Sequence, residues 1–410
     1  MVRRQQEYRL REALEDTPVV MIVGPRQCGK STLAQAVGEG RESVTFDDPR
    51  TLSTAKLNPI EFLRSFPGPL TIDEVQRAPE IFLPLKAEVD RHRTPGKYLL
   101  TGSANVLQMP KIGDSLAGRM EVLSLLPFSQ GEIEGAGDGF VDQLFAEKFN
   151  AKPAERLLDL YSRVAIGGFP EPSLRKSAER RAAWFDSYIR TILDRDIRDI
   201  ANIEALAQMP RLLTLLALRA GTVLNANSLS SDLQIPYSSL KRYLELLETL
   251  YLVHRTPAWS SNFRGRAVTK SPKLYLVDTG LLCNLANLDS RTLENSLERR
   301  TPILENFVAM ELRKQCEFGK LRPWLMHFRT VRNLEVDFVL ETKDQRIAGV
   351  EVRSSSVLLD NDADGLRYLQ EIAGHSFVRG VILYHGEEIV RYSPQIIGLP
   401  IQRLWDMQHS

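Results

Sequence analysis

A glycine-rich stretch near the N-terminus reads Gly24-Pro25-Arg26-Gln27-Cys28-Gly29-Lys30-Ser31. It matches the phosphate-binding pattern G-x-x-x-x-G-K-[S/T] at every required position. The apolar residues 19–23 come before it, and residues 32–37 continue it with a sequence suited to a helix. Strand, glycine loop and helix are the context in which this motif binds phosphate. The sequence therefore predicts a loop whose backbone N–H groups, together with the following helix N-terminus, surround an anion.

The side chains of this loop predict how a nucleotide is held. Lys30 would reach the β- and γ-phosphates of ATP, and Ser31 would be a ligand of Mg²⁺. Cys28 is interpreted as a small side chain that suits a tight loop, with a redox switch as the alternative. The expected nucleotide contacts are Gly24, Pro25, Arg26, Gln27, Cys28, Gly29, Lys30, Ser31 and Thr32.

The composition is that of an ordinary globular chain. Its 410 residues are enough for about two to four domains. The net charge is +1, so any surface for nucleic acid must be local. No apolar run approaches the ~18 residues of a membrane span, and the N-terminal residues are charged, unlike a secretory signal. Three widely spaced cysteines predict neither disulfides nor a zinc site, so we expect a cytoplasmic protein without a membrane partner.

Strand and helix patterns alternate after the loop. Further strands are predicted at residues 43–48, 69–74, 98–103 and 120–126, and helices at residues 79–91 and 106–116. Such alternation predicts a parallel sheet covered by helices. Ligands of these sheets bind beyond the carboxyl ends of the strands. Polar residues at these ends, Asp73, Glu74 and Ser103, are therefore expected near the bound phosphates.

The pair Asp73-Glu74 predicts hydrolysis in addition to binding. Asp73 is placed to hold Mg²⁺, directly or through water. Glu74 is placed to orient and deprotonate the attacking water. Ser103 has two interpretations, a contact with the γ-phosphate or the attacking water, and a turn residue after Gly102.

Arg119 lies between a predicted helix and the fifth strand, at the edge of the nucleotide domain. One interpretation is an arginine that enters the site of a neighbouring subunit and neutralises charge in the transition state. The other is an exposed arginine that the dipole of the preceding helix favours. The first interpretation requires the protein to act as an oligomer.

Four segments of the N-terminal part are Gly24–Ser31, Leu70–Glu74, Leu100–Ser103 and Ser115–Arg119. Together they resemble the AAA+ ATPases and, more narrowly, the bacterial and archaeal family whose C-terminal part is catalogued as domain of unknown function 4143. Two later segments, Gly167–Glu171 and Lys273–Leu281, resemble signatures of that narrower family. The resemblance covers nearly the whole chain. It implies an AAA+ fold, ATP with Mg²⁺ as cofactor, and self-association into a ring, which we expect to be a hexamer.

Residues 136–205 are predicted to form the helical lid of the AAA+ module. Arg190, Arg195 and Arg198 lie in this region. One of them would sense the nucleotide, or all three would pair with neighbouring aspartates on a solvated face; the sequence does not choose between these alternatives.

Residues 206–277 follow the plan of a winged helix-turn-helix, with three helices and then a strand. The third helix has an apolar stripe at Leu240, Leu244, Leu247 and Leu250. Between His254 and Val277 there are basic residues but no acidic ones, which predicts contacts with DNA phosphates. A winged helix that docks a protein is the alternative. The expected DNA contacts are Lys241, Arg242, Arg264, Arg266, Lys270 and Lys273.

Residues 278–410 predict an α/β domain of the PD-(D/E)XK nuclease type. Glu305 on a helix, Asp337 on a hairpin and Glu351 on a strand would converge on a second Mg²⁺. Position 353 is Arg where the pattern has Lys, and Arg is a poor substitute beside an attacking water. The main interpretation is a degenerate nuclease fold that binds DNA or braces a ring, and the alternative is an active nuclease.

The combined prediction is an α/β protein with a P-loop AAA+ parallel-sheet core in residues 1–135, followed by the lid, the winged helix and the nuclease-like domain. Its leading function is ATP hydrolysis by an oligomer, coupled to binding or remodelling of DNA, including branched or forked DNA. Two alternatives stay open: a nucleotide-dependent switch that binds a protein partner, and an ATP-licensed DNA nuclease.

Overall fold

The structure is a computed structural model that describes residues 2–103, 116–149, 151–196, 208–260, 271–330 and 334–407. It divides into two compact units. The first consists of Met1–Phe128 with Thr249–Leu252, and the second of Ser129–Glu248 with Val253–Ser410. The first unit thus ends a few residues before the expected boundary at residue 135. The finer division of the remaining chain into lid, winged helix and nuclease-like domain stays a prediction.

The first unit alternates strands with helices. Its helices are α1 (Gln6–Asp16), α2 (Lys30–Ala36), α3 (Pro49–Leu57), α4 (Pro59–Arg64) and α5 (Phe82–Arg91). Its strands are β1 (Val19–Val23), β2 (Glu42–Thr45), β3 (Leu70–Asp73), β4 (Tyr98–Gly102) and β5 (Met120–Ser124). Each strand lies inside or within one residue of the range predicted for it. The helix predicted at residues 106–116 falls, apart from Leu116, outside the described residues.

The five strands form one parallel sheet in the order β2-β3-β4-β1-β5. The parallel core expected from the sequence is therefore confirmed. β1 lies between β4 and β5, and all five of its residues are buried, which explains its unbroken apolar run. Leu10 of α1 and Leu33 of α2 pack into the same core as Val20 and Ile22 of β1. The strand order reverses at β1, and this switch point is where such sheets bind ligands.

The second unit begins with short helices and continues into a region of longer ones. Its helices are α6 (Gln130–Glu134), α7 (Phe140–Leu144), α8 (Leu160–Ile166), α9 (Pro170–Ser173), α10 (Ala178–Thr191), α11 (Met209–Leu218), α12 (Ala226–Leu233), α13 (Tyr237–Thr249), α14 (Thr279–Leu285), α15 (Ser290–Asn295), α16 (Leu297–Phe318), α17 (Asp364–Ala373) and α18 (Arg403–Asp406). Its strands are β6 (Val253–Thr256), β7 (Lys273–Leu276), β8 (Trp324–Arg329), β9 (Glu335–Glu341), β10 (Ile347–Arg353), β11 (Phe377–Tyr384), β12 (Val390–Arg391) and β13 (Ile396–Pro400).

A two-stranded antiparallel sheet, β6-β7, follows the three helices α11, α12 and α13. The predicted apolar stripe is confirmed, since Leu240, Leu244 and Leu247 of α13 are buried, as is Leu250 directly after the helix. The exposed face of α13 carries Lys241 and Arg242.

The C-terminal part of the chain is built on a six-stranded mixed sheet in the order β12-β13-β11-β10-β9-β8. β8, β9 and β10 are joined antiparallel, whereas β10, β11 and β13 run parallel. α17 covers this sheet through Leu366 and Leu369. Gly349 of β10 allows the close approach, because a Cβ there would lie 2.6 Å from a methyl carbon of Leu366.

Two segments that carried the family resemblance meet inside the second unit. The Asp278 carboxylate caps α14 by accepting a bond of 2.9 Å from the Leu281 N–H, and it also accepts a bond of 2.6 Å from the Gly168 N–H. A Cβ at Gly167 would lie 2.4 Å from the same carboxylate, and Gly167 has a φ of +74°. The contact between these two segments is thus buried and structural, and we assign no chemistry to it.

The three cysteines are free thiols. Within the described ranges, no helix combines the length and the apolar character needed to cross a bilayer.

Candidate nucleotide site and carboxylate cluster

The glycine-rich loop leaves the carboxyl end of β1 and enters α2, as the sequence predicts. Gly24 and Gly29 have φ of +155° and +99°, and a Cβ on Gly24 would lie 2.0 Å from the Leu125 carbonyl oxygen. Glycine is therefore required at position 24. Lys30 is 5% exposed, and its Nζ donates to the carbonyl oxygens of Gly24 and Pro25, at 3.1 and 2.8 Å. The ammonium is thus folded over the loop, and among the described residues its hydrogen-bond acceptors are both neutral.

Ser31 and Asp73, the expected Mg²⁺ ligands, are adjacent. The Ser31 hydroxyl donates to Asp73 Oδ1 at 2.9 Å, and the Thr101 hydroxyl donates to the same oxygen. A hydroxyl and a carboxylate side by side at the end of a parallel sheet suit Mg²⁺, which completes its shell with water and phosphate oxygens. Thr101 was not predicted as a site residue, although it precedes the predicted Ser103 on the same strand end.

Glu74 is held in position by neutral partners. Its Oε2 accepts a bond of 3.0 Å from the Ser103 hydroxyl and a second bond from the Gln76 amide. Gln76 also donates to the Ser103 oxygen at 2.8 Å, so the three side chains form a closed network. The Glu74 backbone is left-handed, with φ +58° and ψ +43°, and such strain is common at functional sites. Ser103 therefore contacts Glu74, the expected catalytic base, whereas Gln76 gave no sequence signal.

Arg4 braces the loop from the N-terminal segment. Its guanidinium donates to the carbonyl oxygens of Cys28 and Leu126, both at 2.7 Å, and lies over the Phe128 ring. The buried Cys28 thiol donates to the Leu125 carbonyl at 3.1 Å. Cys28 thus packs inside the loop, which agrees with its interpretation as a small structural side chain.

Arg119 is engaged within its own unit. Its guanidinium makes a two-pronged ion pair with Asp90 of α5, including a bond of 3.1 Å from Nη2 to Oδ2. Nη1 donates to the Ala117 carbonyl at 3.0 Å. The Arg119 side chain is 29% exposed, so water and other chains can still reach it.

The second unit brings together the carboxylates that were expected to bind a second Mg²⁺. We call Glu305, Glu335, Asp337 and Glu351 the carboxylate cluster. The ammonium of Lys273 lies among them, at 2.8 Å from Glu305, 2.5 Å from Glu335 and 3.3 Å from Asp337. Within the described residues, no group of three or more His, Cys, Asp or Glu side chains is arranged to hold a metal ion. The second magnesium site stays a prediction, and in this structure a lysine ammonium lies between two of its expected ligands, Glu305 and Asp337.

Lys273 also requires a correction to the DNA-binding prediction. It is 1% exposed and its donors point at carboxylates, so it presents no charge to a surface ligand. Burial opposes its charge, but Asp337, Glu305 and Glu335 outweigh that effect and raise the pKa of Lys273. Burial and the Asp337 charge raise the pKa of Glu305 to about 7, against the opposing effect of Lys273.

Arg353, at the position where the nuclease pattern has lysine, belongs to the same region. Its guanidinium donates to Glu351 at 3.0 Å and to Asp362 at 2.7 Å. Burial and the Asp337 charge raise the pKa of Glu351 well above its usual range, and Arg353 opposes this. Arg353 is thus an ion-pair partner of the carboxylates that a metal ion would need.

Family models match three parts of the chain. Residues 16–134 match the AAA domain, residues 157–292 a domain of unknown function (DUF8612), and residues 300–404 a domain of unknown function (DUF4143). Uncharacterized proteins of Mycobacterium bovis and Mycobacterium tuberculosis are each 30% identical over 403 residues, which is 98% of this chain and 84% of theirs. The chain belongs to the family of AAA-domain ATPases that carry DUF4143. The first unit of this family member is a P-loop AAA domain.

Solved structures with similarity to this family member include the following two chains. A Walker-type ATPase of Pyrococcus abyssi is 16% identical, covers 70% of this chain and 96% of its own, and has a TM-score of 0.43. A RuvB variant of Thermotoga maritima is 18% identical, covers 61% of this chain and 88% of its own, and has a TM-score of 0.30.

The remaining predicted DNA contacts of this family member are divided by their placement. Lys241 and Arg242 are exposed on α13. Arg264, Arg266 and Lys270 lie outside the described residues, as do the side chains of Arg195 and Arg198. Arg255, at the start of the basic segment, pairs with Glu248 at 2.7 Å. An acidic residue outside the segment therefore neutralises part of the positive charge that its sequence suggests.

Proposed function

We propose that this protein hydrolyses ATP with Mg²⁺ as an oligomer and couples hydrolysis to the binding or remodelling of DNA. One arrangement carries the proposal: Glu74, fixed by Ser103 and Gln76, follows directly on Asp73, which contacts Ser31 of the glycine-rich loop. A loop that only binds phosphate does not need a second, separately positioned carboxylate at the same strand end. The family membership supports the nucleotide-binding step.

Each residue of the site has a defined task in the proposed reaction. The N–H groups of the loop and the Lys30 ammonium bind the phosphates, with Lys30 exchanging its two carbonyl acceptors for phosphate oxygens. Ser31 and Asp73 would hold Mg²⁺, which supplies positive charge to the phosphates when bound. Glu74 accepts the proton of the attacking water. Ser103 and Gln76 keep the Glu74 carboxylate pointing in one direction and are positioning residues.

The oligomer is proposed from Arg119. In a shared site, Arg119 would leave Asp90 and contact the γ-phosphate held by a neighbouring subunit. The exchange of a carboxylate for a phosphate keeps the guanidinium paired in both states. A ring, expected to be a hexamer, is the assembly in which every subunit both receives and supplies such an arginine.

The DNA partner is proposed from α13 and the segment after it. Lys241 and Arg242 lie on the exposed face of a helix whose opposite face is buried, as a helix that contacts DNA requires. Arg264, Arg266 and Lys270 would add phosphate contacts. Two exposed cations on a helix also suit an acidic protein, so the test must include DNA directly.

The deciding experiment measures ATP turnover by the full chain with duplex, single-stranded and forked DNA, for wild type, Glu74→Gln and Arg119→Ala. We expect DNA to stimulate wild-type turnover and both substitutions to abolish it. Mixing Arg119→Ala with Lys30→Ala subunits should restore part of the activity, because one kind of subunit keeps the loop and the other keeps the arginine. Turnover that no DNA changes would refute the DNA coupling and favour a switch that binds a protein. Absence of restoration would refute the shared site.

A further inference from the structure

Lys273 is buried in a way that lysines seldom are. It begins β7, and it is 1% exposed. A buried ammonium is unfavourable unless it is paired and hydrogen-bonded. Carboxylates from α16 and β9 surround the ammonium and pair with it. The proposed ATPase reaction uses none of these residues.

The ammonium occupies the middle of the carboxylate cluster. A lysine has three N–H donors, and Lys273 has three carboxylate partners, Glu305, Glu335 and Asp337, at 2.8, 2.5 and 3.3 Å. The ammonium thus donates hydrogen bonds to Glu305 and Asp337 and forms an ion pair with Glu335. A Mg²⁺ ion bound by Glu305 and Asp337 would need oxygens at about 2.0–2.1 Å from a point that the ammonium already fills.

The chain around Lys273 fixes it at this point. The Tyr275 hydroxyl, two residues further along β7, donates to Glu305 at 2.7 Å. The Asn306 amide exchanges two bonds with the backbone of Leu276, at 2.8 and 2.9 Å, so α16 is fastened to β7 as well. A Cβ at Gly221 would lie 3.4 Å from the Glu305 carboxylate, which shows how closely the chain covers the cluster.

We propose that Lys273 is the resident cation of the carboxylate cluster, in the place of a divalent metal ion, and that it fastens the two-stranded sheet β6-β7 to α16 and β9. Arg353 is a second internal cation, which pairs with Glu351 and Asp362. The cluster then contains its own cations, one lysine and one arginine for four carboxylates, and does not require Mg²⁺ to hold its elements together. An active metal-dependent nuclease centre at these residues is incompatible with this arrangement.

The test compares the thermal unfolding of full-length wild type, Lys273→Met and the control Lys343→Met, an exposed lysine. Each is measured without nucleotide, in EDTA and in MnCl₂. Met has nearly the length of Lys but no charge. We expect Lys273→Met to lower Tm in EDTA by on the order of 10 °C, because it leaves buried carboxylates unpaired. Mn²⁺ should recover much of that loss in Lys273→Met while shifting wild type and Lys343→Met only slightly.

Each outcome bears on the proposal. A Tm of Lys273→Met equal to that of wild type in EDTA would overturn it, as would a loss that Mn²⁺ does not reverse, which would make Lys273 an ordinary ion-pair partner. A wild-type Tm raised by Mn²⁺, with the rise lost in Asp337→Asn, would also overturn it, because metal and lysine would then share the cluster. If Lys273→Met does not fold, the triple variant Lys273→Met, Glu305→Gln, Asp337→Asn should, since two of the three carboxylates that lose their partner are then neutral and the third, Glu335, is 28% exposed and pairs with Arg329. Its failure to fold would count against the proposal.

Discussion

Lys30 of the first unit and Lys273 of the second are both nearly buried, at 5% and 1% exposed, but their partners have opposite character. Lys30 donates to two backbone carbonyls of its own loop. Lys273 donates to carboxylates on two other elements. A neutral carbonyl gives up a cation to a phosphate at little cost, whereas a buried carboxylate left without its cation is strongly destabilising. The charge of its partners therefore decides whether a buried lysine can bind a ligand.

The acidic residues of the two regions differ in the same way. Asp73 and Glu74 accept hydrogen bonds from hydroxyl and amide groups, and among the described residues neither forms an ion pair, so their carboxylates are oriented but keep their charge. Glu305 and Glu351 are paired with Lys273 and Arg353. The carboxylates of the nucleotide site can therefore bind an external cation, whereas the carboxylate cluster already contains Lys273 and Arg353.

Glu74→Gln gives the largest expected effect and tests whether the first region performs chemistry. Glutamine keeps the size of the side chain but cannot accept a proton, so ATP turnover should fall by roughly 10²–10⁴-fold. ATP binding should persist, because Glu74 is not part of the loop. Steady-state turnover and equilibrium nucleotide binding are the two measurements.

Glu80→Gln serves as the matched control, since Glu80 is an exposed acid six residues further along. Its turnover should equal that of wild type. A Glu74→Gln protein that hydrolyses ATP at the wild-type rate would show that Glu74 is not the catalytic base. The lack of an ion pair at Glu74 would then say nothing about catalysis.

Asp138 is a buried carboxyl that forms no ion pair among the described residues. Its Oδ2 accepts a bond from the Ser129 hydroxyl. Burial, together with the charges of Glu311 and Glu132, raises its pKa to about 8, against the effects of Ser129 and Lys314. This pKa lies above the value of about 3.9 in an unfolded chain, so the folded state retains a proton that the unfolded chain releases. Stability therefore falls as the pH rises from about 4 to about 8.

Asp138→Asn should remove this contribution. Asparagine is neutral and tolerates the left-handed backbone at this position, where φ is +49°. Between pH 5 and 8, wild type should lose on the order of 1–4 kcal/mol more unfolding free energy than the variant. Denaturant unfolding at several pH values measures this difference. Asp186→Asn, at an exposed aspartate of α10, should leave the wild-type pH dependence intact. Parallel pH profiles for wild type and Asp138→Asn would show that Asp138 is ionised in the folded state.

Arg353→Met tests whether the second region depends on its internal cations. The substitution leaves Glu351, which is 3% exposed, without its partner. Because the Arg353 side chain is itself 32% exposed, we expect a loss of about 1–2 kcal/mol, less than for a fully buried pair. Arg367→Met removes an exposed pair with Asp360 and should cost much less stability than Arg353→Met. Equal losses for the two variants would mean that burial adds nothing at Arg353.

The two regions also differ in how far the sequence predicts them. Gly24–Ser31 is one continuous segment, so local patterns were enough to predict the strand, the loop, the helix and the place of Lys30. The parallel sheet followed from the alternation of strand and helix patterns. Lys273 is separated from Glu305 by 32 positions and from Asp337 by 64, so only tertiary folding shows that they meet. The sequence placed Lys273 in a basic segment, and exposure to DNA was the natural but wrong expectation.

Gln76→Ala gives the smallest expected effect and tests whether direction, as well as charge, matters at Glu74. The variant removes the amide that contacts both Glu74 and Ser103, while the Ser103 hydroxyl still donates to Glu74 at 3.0 Å. A hydrogen bond to a charged group contributes about 1.5–3 kcal/mol, and one donor remains, so turnover should fall on the order of tenfold. The loss should appear in kcat, with little change in KM, because Gln76 has no part in binding the phosphates. Gln35→Ala, at an exposed position of α2, should have wild-type kinetics. A rise in KM at constant kcat would mean that Gln76 contacts the nucleotide, and the network around Glu74 would then be a binding feature.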